Sequence, residues 1–350
     1  MKRMITVAVA TILLFASGIA DAQSQKPLSK RLCVAFYNVE NLFDTIDQEN
    51  ADEDFTPNGV NAWDETRYRH KLHNMSTVIA KIGTSQGPDI IGLAEVENRG
   101  VLEDLIAMPA LMDKGYGIVH YDSPDFRGID CAMLYKKDRL EVLHSHPQPV
   151  IIPGEEEIKT RDILYVKAKA DDELLHFMVA HWPSRSGGEA ASAPRRLAAA
   201  KTMKHLSDSI LSTDSTAKII MMGDLNDDPI SPSLKDGLDI KYAKKGLKGT
   251  ELFTPMYALY KAGYGTLAYR DVWSLFDMMI VSGNVVNTPN DGGYHLFFSK
   301  NQDFGAFIFN DKMLTQESGR YKGYPKRTIV GGQYQGGYAD HFPVYLFLVK

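Results

Sequence analysis

A carboxylate and an amide lie close together just after a strongly apolar stretch of the chain. Residues 219–222 (IIMM) run into Gly223, Asp224, Leu225 and Asn226, and an Asp-Pro step follows at 228–229. This pattern predicts a buried strand that ends at the Asp-Pro step, with Asp224 and Asn226 pointing the same way at its exit. A carboxylate there can orient a water, and an amide can donate a hydrogen bond to a phosphoryl oxygen. An Asx-rich turn explains the same residues equally well, so the segment alone leaves both interpretations open.

Other apolar, strand-like segments also end in a polar side chain that could do chemistry. The residues at these ends are Asn38, Glu95, His181 and the pair Asp340-His341. A single such ending means little, since Asn38 alone would be interpreted as a cap or turn residue. Several of them predict that the polar groups converge on one rim of the fold.

Glu95 follows the apolar run Gly92-Leu93-Ala94 and no basic residue adjoins it. A carboxylate near a core needs a cation or hydrogen bonds to offset its desolvation. We therefore predict that Glu95 binds a hard divalent cation, with a salt bridge to a distant arginine as the alternative. Glu40 and Asp44, in contrast, are interpreted as surface groups.

His181 begins the segment His-Trp-Pro-Ser-Arg, which places Arg185 four residues away. Gly187 and Gly188 would let backbone amides approach an anion, and arginine is a strong donor to phosphate. A packed, structural histidine is the usual interpretation of such a residue, but these neighbours favour a contact with a phosphate.

Asp340 and His341 lie between a glycine-rich loop, residues 331–337, and a terminal strand. Because adjacent side chains on an extended chain diverge, we expect different roles for the two. Asp340 is predicted to face a metal, and His341 to face the phosphate or handle a proton. Asp277, which interrupts an apolar strand, is the candidate to orient His341.

The rest of the chain alternates β-prone apolar runs with two clear helical patterns. Helices are expected over 64–82 and 194–211 because apolar residues recur there at spacings of three and four. Strands are expected over 32–37, 89–94, 129–135, 162–169, 174–181, 217–223 and 275–282. Many strands with few helices suggest two packed sheets covered by helices.

The N-terminus reads as a secretory signal over residues 1–22. Lys2 and Arg3 precede an apolar stretch from Met4 to Ile19, and Ala20-Asp21-Ala22 supplies small residues for cleavage. The stretch is shorter than the roughly 20 residues that span a bilayer, so stable membrane insertion is not expected. Residues 23–350 are predicted to be a single domain of an exported, periplasmic or secreted monomer.

The formal net charge of −5 excludes a globally basic nucleic-acid binder. An exported nuclease can nevertheless rely on local arginines and a metal.

Taken in order, these motifs resemble the endonuclease/exonuclease/phosphatase superfamily, typified by DNase I and exonuclease III. The matching segments cover about Leu32 to Leu348 and are Asn38, Leu93 to Val96, Arg127 to Asp130, His181-Trp182, Gly223 to Asn226, Phe276-Asp277 and Asp340-His341. The chain departs from the family at Ala339, where serine is usual, and at Met278, where tyrosine is usual. Neither change removes a charged group.

The resemblance implies an α/β fold, a four-layered α-β-β-α sandwich of two packed mixed sheets. It also implies Mg²⁺ or Mn²⁺ near Glu95, with Asn38 and Asp340 in or beside the metal's ligand set. The implied catalytic residues are His181, Asp224, Asn226, Asp277 and His341, and the implied phosphate-binding residues are Asn38, Arg127 and Arg185. A carboxylate that pairs with His181 is expected, and Asp125 and Asp130 are its candidates.

The resulting hypothesis is an exported, divalent-metal-dependent phosphodiesterase, most simply a nuclease acting on DNA or RNA. A lipid or inositol phosphatase, or a sphingomyelinase, would use the same rim and is the alternative enzyme class. A non-catalytic binding protein on the same fold is a third alternative, weakened by the survival of every expected polar position.

Overall fold

The alternation of side chains along the first strand, β1 (Arg31–Leu42), sorts the interior of the protein into two layers. Leu32, Val34 and Phe36 point into one apolar cluster, whereas Ala35 and Tyr37 point into another. Successive side chains of a strand face opposite sides of its sheet, so a strand that is apolar on both faces must be covered on both. The sequence of β1 therefore demands a layer above it and a layer below it.

The computed structural model of the protein describes residues 30–287, 292–301 and 303–350. Residues Arg31–Lys350 form one compact unit, and the predicted signal peptide lies outside the described residues. The α-helices are α1 (Glu65–Ile79), α2 (Arg99–Ala107), α3 (Glu189–Thr213), α4 (Met256–Lys261) and α5 (Gly283–Val286).

The strands after β1 are β2 (Ile90–Val96), β3 (Tyr116–His120), β4 (Asp130–Lys136), β5 (Glu141–Gln148), β6 (Ile163–Ala170), β7 (Glu173–His181), β8 (Lys218–Asp224), β9 (Leu252–Phe253), β10 (Leu267–Tyr269), β11 (Val272–Ser274), β12 (Asp277–Ser282), β13 (His295–Leu296), β14 (Phe307–Ile308), β15 (Ile329–Val330), β16 (Gln333–Tyr334) and β17 (Val344–Val349).

Two mixed sheets carry the fold. The first has the order β13-β17-β1-β2-β4-β3, with β14 also paired to β17, and the second has the order β5-β6-β7-β8-β12-β9. Neighbouring strands are parallel at β1–β2 and β7–β8, and the other pairs described in these two sheets are antiparallel. Two small hairpins, β10–β11 and β15–β16, lie outside the main sheets.

The two sheets pack face to face, and helices cover their outer faces. One apolar cluster joins inner residues of both sheets and includes residues of α3, while the other joins the first sheet to α1 and α2. The sheets approach closely at Gly92, where a Cβ atom would lie only 2.8 Å from Met222 Sδ. The predicted α-β-β-α sandwich of two packed mixed sheets is therefore confirmed.

The elements expected from sequence are present, with shifted ends. Helix α1 begins after Asp64, whose side chain caps it, and ends three residues before the expected stop. Helix α3 begins five residues earlier than expected. The patterns did not predict α2, β3, β5 or the β10–β11 hairpin, because these elements are short or only partly buried and their apolar periodicity is weak.

Candidate active site

Three polar side chains meet in register at one end of the second sheet. His181 at the end of β7 is opposite Asp224 at the end of β8, and Asp277 at the start of β12 is opposite Asp224 on its other side. Gly223 permits this close pairing, since a Cβ atom there would lie 2.1 Å from the carbonyl oxygen of Ala180. Glycine is therefore needed at position 223, because any side chain there would clash with the backbone of β7.

The first sheet contributes Asn38 and Glu95 at the matching end. Strands β1 and β2 are parallel with Asn38 opposite Ala94, and the register of both strands shifts immediately afterwards. At these irregularities Glu95 and Asn41 have φ values of +64° and +54°, in the left-handed region that asparagine tolerates and glutamate rarely adopts. Asn226 beside Asp224 has a φ of +52°. Unfavourable backbone conformations of this kind cluster at functional sites.

Asn38 links the two sheets. Its Nδ2 donates to Asp224 Oδ2 at 3.0 Å and to Glu95 Oε1 at 3.3 Å, while its Oδ1 accepts a hydrogen bond from the Glu40 amide at 3.0 Å. The amide nitrogen therefore faces the carboxylates. In this arrangement Asn38 holds two acidic groups in place, and its Oδ1, which accepts one hydrogen bond, keeps a second lone pair for a further contact.

His341 is surrounded by carboxylates. Its Nδ1 lies 2.7 Å from Asp277 Oδ2, and its Nε2 lies 3.8 Å from Asp224 Oδ2 and 3.9 Å from Asp340 Oδ1. Burial disfavours the charged imidazolium, but Asp277, Asp224 and Asp340 outweigh it and hold the His341 pKa well above its ordinary value. His341 is therefore a cation with a directed Nε2 proton.

His181 has the opposite environment. Burial lowers its pKa well below the ordinary value, and the cations Arg161 and Arg127 and the imidazole of His341 lower it further. Its Nε2 lies 3.6 Å from Asp224 Oδ2 and 4.0 Å from Glu95 Oε1. Its Nδ1 has no hydrogen-bond partner among the described residues. His181 is therefore neutral.

Neither candidate partner of His181 holds its ring in this structure. Asp125 Oδ2 accepts from Arg161 Nη1 at 3.0 Å, and Asp130 lies 3.0 Å from His120 Nε2. Arg161, which the sequence did not single out, instead donates from Nε to the backbone carbonyl of His181. The end of β7 is thus fixed through its backbone by an arginine.

Asp224 lies between the two histidines and is buried. Its pKa is raised to about 6, because burial, the largest cause, and the neighbouring Asp277 outweigh the lowering effects of His341 and of the hydrogen bonds from Asn226 and Asn38. The Asn226 backbone amide donates to Asp224 Oδ1 at 3.0 Å. Asp224 therefore has a fixed orientation and a pKa close to neutrality.

Oxygen donors dominate the side of the site that includes Glu95 and Asp340. Both carboxylates act electrostatically on the same two cations, Lys71 and Arg327. Burial would raise the pKa of Asp340, but His341, Arg327 and Lys71 keep it below its ordinary value, so the group is ionised. Glu95 Oε2 accepts from the Asn41 amide at 3.0 Å. Two carboxylates beside an amide suit a hard cation such as Mg²⁺.

The interpretation of Glu40 as a surface group is wrong. Glu40 is buried, its Oε1 accepts from Arg327 Nε at 2.8 Å, and its Oε2 accepts from the Thr328 amide at 2.8 Å. Arg327 Nη2 also lies 3.0 Å from Asp340 Oδ2. Glu40 follows Asn38 by two positions, but the register of β1 shifts after Asn38 and Glu40 has a φ of +50°, so the alternation of the strand did not predict this burial.

The remaining predicted phosphate contacts lie on the rim. Arg127 Nη2 donates to Asn41 Oδ1 at 2.5 Å and lies 3.8 Å from Glu95 Oε2. Arg185 donates from Nε to the Asn226 carbonyl at 2.9 Å and stacks over Phe276 with 4.5 Å between its Cζ and the ring centroid. Asn226 Nδ2 donates to the Trp182 carbonyl at 3.0 Å. Arg185 and Asn226 therefore bind the loop itself, whereas Arg127 is partly exposed beside Glu95.

A second compact group of possible metal ligands lies nearby. Donor atoms of His120, Asp122 and Asp130 lie within 4.8 Å of one another. Each ring nitrogen of His120 faces one of the two carboxylates, at 3.9 Å and 3.0 Å. These contacts hold the His120 ring in place between two carboxylates. The group does not include the predicted metal ligands Glu95, Asn38 and Asp340.

Solved structures with the same fold come from several proteins. A Bacteroides thetaiotaomicron endonuclease/exonuclease/phosphatase family protein is 17% identical with a TM-score of 0.54, and 92% of this chain aligns with 98% of that one. D. rerio TDP2 complexed with a single-strand DNA product is 13% identical with a TM-score of 0.53, covering 91% of this chain and 98% of that chain. The B. thetaiotaomicron mannosyl-6-phosphatase Bt3783 is 16% identical with a TM-score of 0.52, covering 91% and 100%.

At these identities the structures establish the fold. A search of curated protein sequences finds no match. The family model described as "Endonuclease/Exonuclease/phosphatase family" matches residues 33–350, which is nearly all of the described chain. The chain therefore belongs to the endonuclease/exonuclease/phosphatase family, a family of phosphoester hydrolases.

Proposed function

We propose that the protein is an exported, divalent-metal-dependent phosphodiesterase that hydrolyses DNA or RNA. The observation that carries the proposal is the placement of Asp224 between a cationic His341 and a neutral His181, at the end of the sandwich where Glu95 and Asp340 supply oxygen ligands. Family membership supports the coarser statement, phosphoester hydrolysis.

Asp224 is the residue suited to activate a water. Its two oxygens are oriented by Asn38 and by the Asn226 amide, and its pKa of about 6 lets it accept a proton near neutral pH. Burial of the carboxylate is the cause of the raised pKa. Asp224 is thus both positioned and matched in acidity to its task.

His341 is suited to stabilise the phosphoryl oxygens. Asp277 accepts from Nδ1, so the remaining proton lies on Nε2 and points toward the space between Asp224 and Asp340. A fixed donor aimed at developing negative charge is an effective form of catalysis. Mg²⁺ or Mn²⁺ held by Glu95 and Asp340, with Asn38 beside them, would act as a Lewis acid on the same oxygens.

His181 can serve the phosphate without adding charge. Its neutral ring can donate from Nε2 to a phosphoryl oxygen, and the arginines around it supply the positive field. The exposed part of Arg127 gives the rim a further phosphate donor.

Nucleic acid is the substrate class we favour over lipid. The D. rerio TDP2 structure of this fold contains a single-strand DNA product. No helix in the described part of the chain is long and apolar enough to cross a membrane, a finding that does not bear on the substrate class. A lipid or inositol phosphatase, or a sphingomyelinase, remains the alternative enzyme class. A mannosyl-6-phosphatase has a similar fold, so phosphate monoesters are also considered as substrates.

Export is proposed from the N-terminal sequence. Two cations, an apolar stretch and a small-residue cleavage site follow one another in residues 1–22. Fractionation of expressing cells tests it. Recovery of the protein outside the cytoplasm, beginning near Gln23, is expected.

The activity is tested with the purified protein, Mg²⁺ or Mn²⁺, and plasmid DNA, RNA, sphingomyelin and inositol phosphates in parallel. We expect hydrolysis of a nucleic acid that EDTA abolishes and that Asp224→Asn lowers about 10²–10⁴-fold. Asp208→Asn, at an exposed helical carboxylate, is the matched control. Turnover of sphingomyelin or inositol phosphates alone would move the assignment to lipid or inositol hydrolysis, and no turnover on any substrate would favour a binding protein.

A further inference from the structure

A group of exposed aromatic side chains lies beside the catalytic residues and has no role in the chemistry described above. Tyr269 and Trp273 belong to the β10–β11 hairpin, and Tyr321 and Tyr324 lie on the segment before β15. Tyr269 is 68% exposed, Tyr321 52% and Trp273 39%, although large aromatic rings are usually buried. We call Tyr269, Trp273, Tyr321 and Tyr324 the aromatic platform.

The aromatic platform is attached directly to the catalytic strands. The ring of Trp273 stacks on Phe342, the residue after His341, with centroids 6.0 Å apart and planes at 18°. The Phe342 amide donates to the carbonyl of Thr266, immediately before β10, at 2.8 Å. Trp273 also precedes Asp277 by four residues. A ligand that contacts the exposed part of Trp273 is therefore held next to the Asp277–His341 pair.

The aromatic platform is preorganised. The hairpin turns through Arg270 and Asp271, whose φ values of +49° and +66° match a tight two-residue turn. Asp271 accepts from Tyr324 Oη at 2.8 Å and from Arg320 Nη2 at 3.1 Å, which joins the hairpin to the second segment. Tyr324 in turn packs edge-on against Trp273 at 5.5 Å. A rigid ring surface loses little entropy on binding a planar ligand.

The charges around the aromatic platform favour an anionic ligand. Arg270 and Arg320 lie over the rings of Tyr269 and Tyr321, with their Cζ atoms 5.1 Å and 5.6 Å from the ring centroids. Lys322 adds a third exposed cation, so three cations face two exposed carboxylates here, Asp271, which pairs with Arg320, and Glu317. Aromatic rings interleaved with cations are the combination by which proteins bind single-stranded nucleic acid.

The charge of the hairpin tip argues against a lipid surface. Its two turn residues are Arg270 and Asp271, both exposed, and charged side chains are costly in hydrocarbon. A hairpin that entered a bilayer would instead present apolar residues at its tip.

We propose that the aromatic platform stacks the unpaired bases next to the scissile phosphate of a single-stranded nucleic acid, with Trp273 as its central ring. This inference rests on the proposed function and specifies its substrate: a strand whose bases are free to stack. Arg270, Arg320 and Lys322 contact the phosphates that flank those bases.

Binding can be measured without catalysis by using Trp273 as the probe. The protein has three tryptophans, and the other two, Trp63 and Trp182, are buried. Acrylamide quenching of tryptophan fluorescence therefore reports chiefly on Trp273. In EDTA, an oligothymidylate of about eight nucleotides should protect it from quenching, because one domain typically contacts ~4–16 nucleotides.

Substitutions then test the stacking contact. Because these variants lack the Trp273 probe, their affinities and that of the natural protein are compared by the fluorescence anisotropy of a labelled oligothymidylate in EDTA. Trp273→Ala should weaken binding about 5- to 100-fold, the range expected for loss of one base–aromatic stack. Trp273→Phe, which keeps a ring, should stay within about threefold of the natural protein. Leu174→Ala is the matched control, because it removes a similarly exposed apolar side chain at the opposite end of β7 from His181.

Several results would overturn the inference. Equal affinities of Trp273→Ala and the natural protein would do so, as would equal binding of an oligonucleotide that lacks its bases. Loss of binding to phosphatidylcholine–phosphatidylserine vesicles in Trp273→Ala, without loss of oligothymidylate binding, would assign the surface to a membrane instead. Failure of the proposed function is distinguishable, since a protein that hydrolyses no phosphodiester would still show Trp273-dependent binding in EDTA if the aromatic platform is correct.

Discussion

The two active-site histidines are both buried, but His341 is cationic and His181 is neutral. His341 is surrounded by Asp277, Asp224 and Asp340, and its pKa lies well above the ordinary value despite burial. His181 is buried beside Arg161 and Arg127, and its pKa lies well below that value. Burial pushes both pKa values down, so the difference comes from the charged neighbours. One fold thereby presents a cationic donor and a neutral imidazole to the same carboxylate, Asp224.

The two histidines also define two halves of the site: the His341 half, with its carboxylate neighbours, and the His181 half, with its arginine neighbours. Asp277 fixes the orientation of the His341 ring, whereas His181 is held at its backbone by Arg161 and its Nδ1 has no hydrogen-bond partner among the described residues. The His341 half should therefore supply most of the electrostatic stabilisation of the reaction, and the His181 half should tolerate more change.

The largest effect is expected from Asp277→Asn. The amide is nearly isosteric but carries no charge, so the His341 pKa should fall and the ring should lose its fixed donor role. We expect kcat/KM for the nucleic-acid substrate to fall about 10²–10⁴-fold.

Because Asp277 is completely buried, a thermal melt must accompany that measurement. Imidazole ¹⁵N shifts at pH 7 provide the specific readout: His341 should change from imidazolium to neutral ring, while His181 stays neutral in both proteins. An unchanged rate with a neutral His341 would contradict the asymmetry.

Arg161→Met should give the next largest effect, and on stability. Arg161 is buried and bonds Asp125 as well as the carbonyls of His181 and Trp182. Removing it leaves Asp125 as an uncompensated buried charge, which costs about 3–5 kcal/mol in the free energy of unfolding.

Urea denaturation measures the loss, and the double variant Arg161→Met with Asp125→Leu should recover part of it. A loss below about 1 kcal/mol would show that the ion pair is not what holds the end of β7.

The pH dependence of stability should have opposite signs for the two histidines. His341 has a folded pKa above the unfolded value, so its stabilisation is complete below the ordinary pKa of 6.5 and is lost as pH rises through the folded pKa. His181 has a folded pKa below 6.5, so stability is lost as pH falls below 6.5 and the unfolded chain takes up the proton.

Unfolding free energies of His341→Gln and His181→Gln in EDTA between pH 5 and 9 check both signs. Relative to the natural protein, His341→Gln should lose the most unfolding free energy at the acid end of this range, and His181→Gln should lose the least there. The difference in unfolding free energy should change with pH by at most about 1.4 kcal/mol per pH unit for each variant. Parallel curves for the two variants would refute the opposite charge states.

The ends of apolar strands could be recognised from the sequence, and with them Asn38, Glu95, His181, Asp224 and Asp277. The first four are each the first polar residue after an apolar run, and Asp277 interrupts one, so the signal is local in every case. The burial of Glu40 and the roles of Arg161 and Arg327 could not be recognised, because each depends on a partner distant in sequence.

The same reason explains the hidden aromatic platform. Its rings come from segments about 50 residues apart that are joined by Asp271, and the sequence shows only scattered aromatic residues there. Local sequence patterns predict which residues are buried and which form helices or strands. Ion pairs and stacked rings between distant segments depend on the tertiary fold and cannot be predicted from such patterns.

Arg127→Gln should have the smallest effect. It distinguishes the electrostatic effect of Arg127 on the His181 pKa from a direct contact between Arg127 and the substrate phosphate. Arg127 is partly exposed and lies 3.8 Å from Glu95, so its loss should cost less than about 1 kcal/mol of stability. If it contacts the substrate phosphate, KM should rise about fivefold while kcat stays within about twofold, the pattern of lost uniform binding. The His181 pKa should rise, and by less than in Arg161→Met, because Arg161 is the stronger of the two cations acting on it. A fall in kcat instead, with KM unchanged, would mean that Arg127 acts in the transition state and that the His181 half contributes more to catalysis than its neutral ring implies.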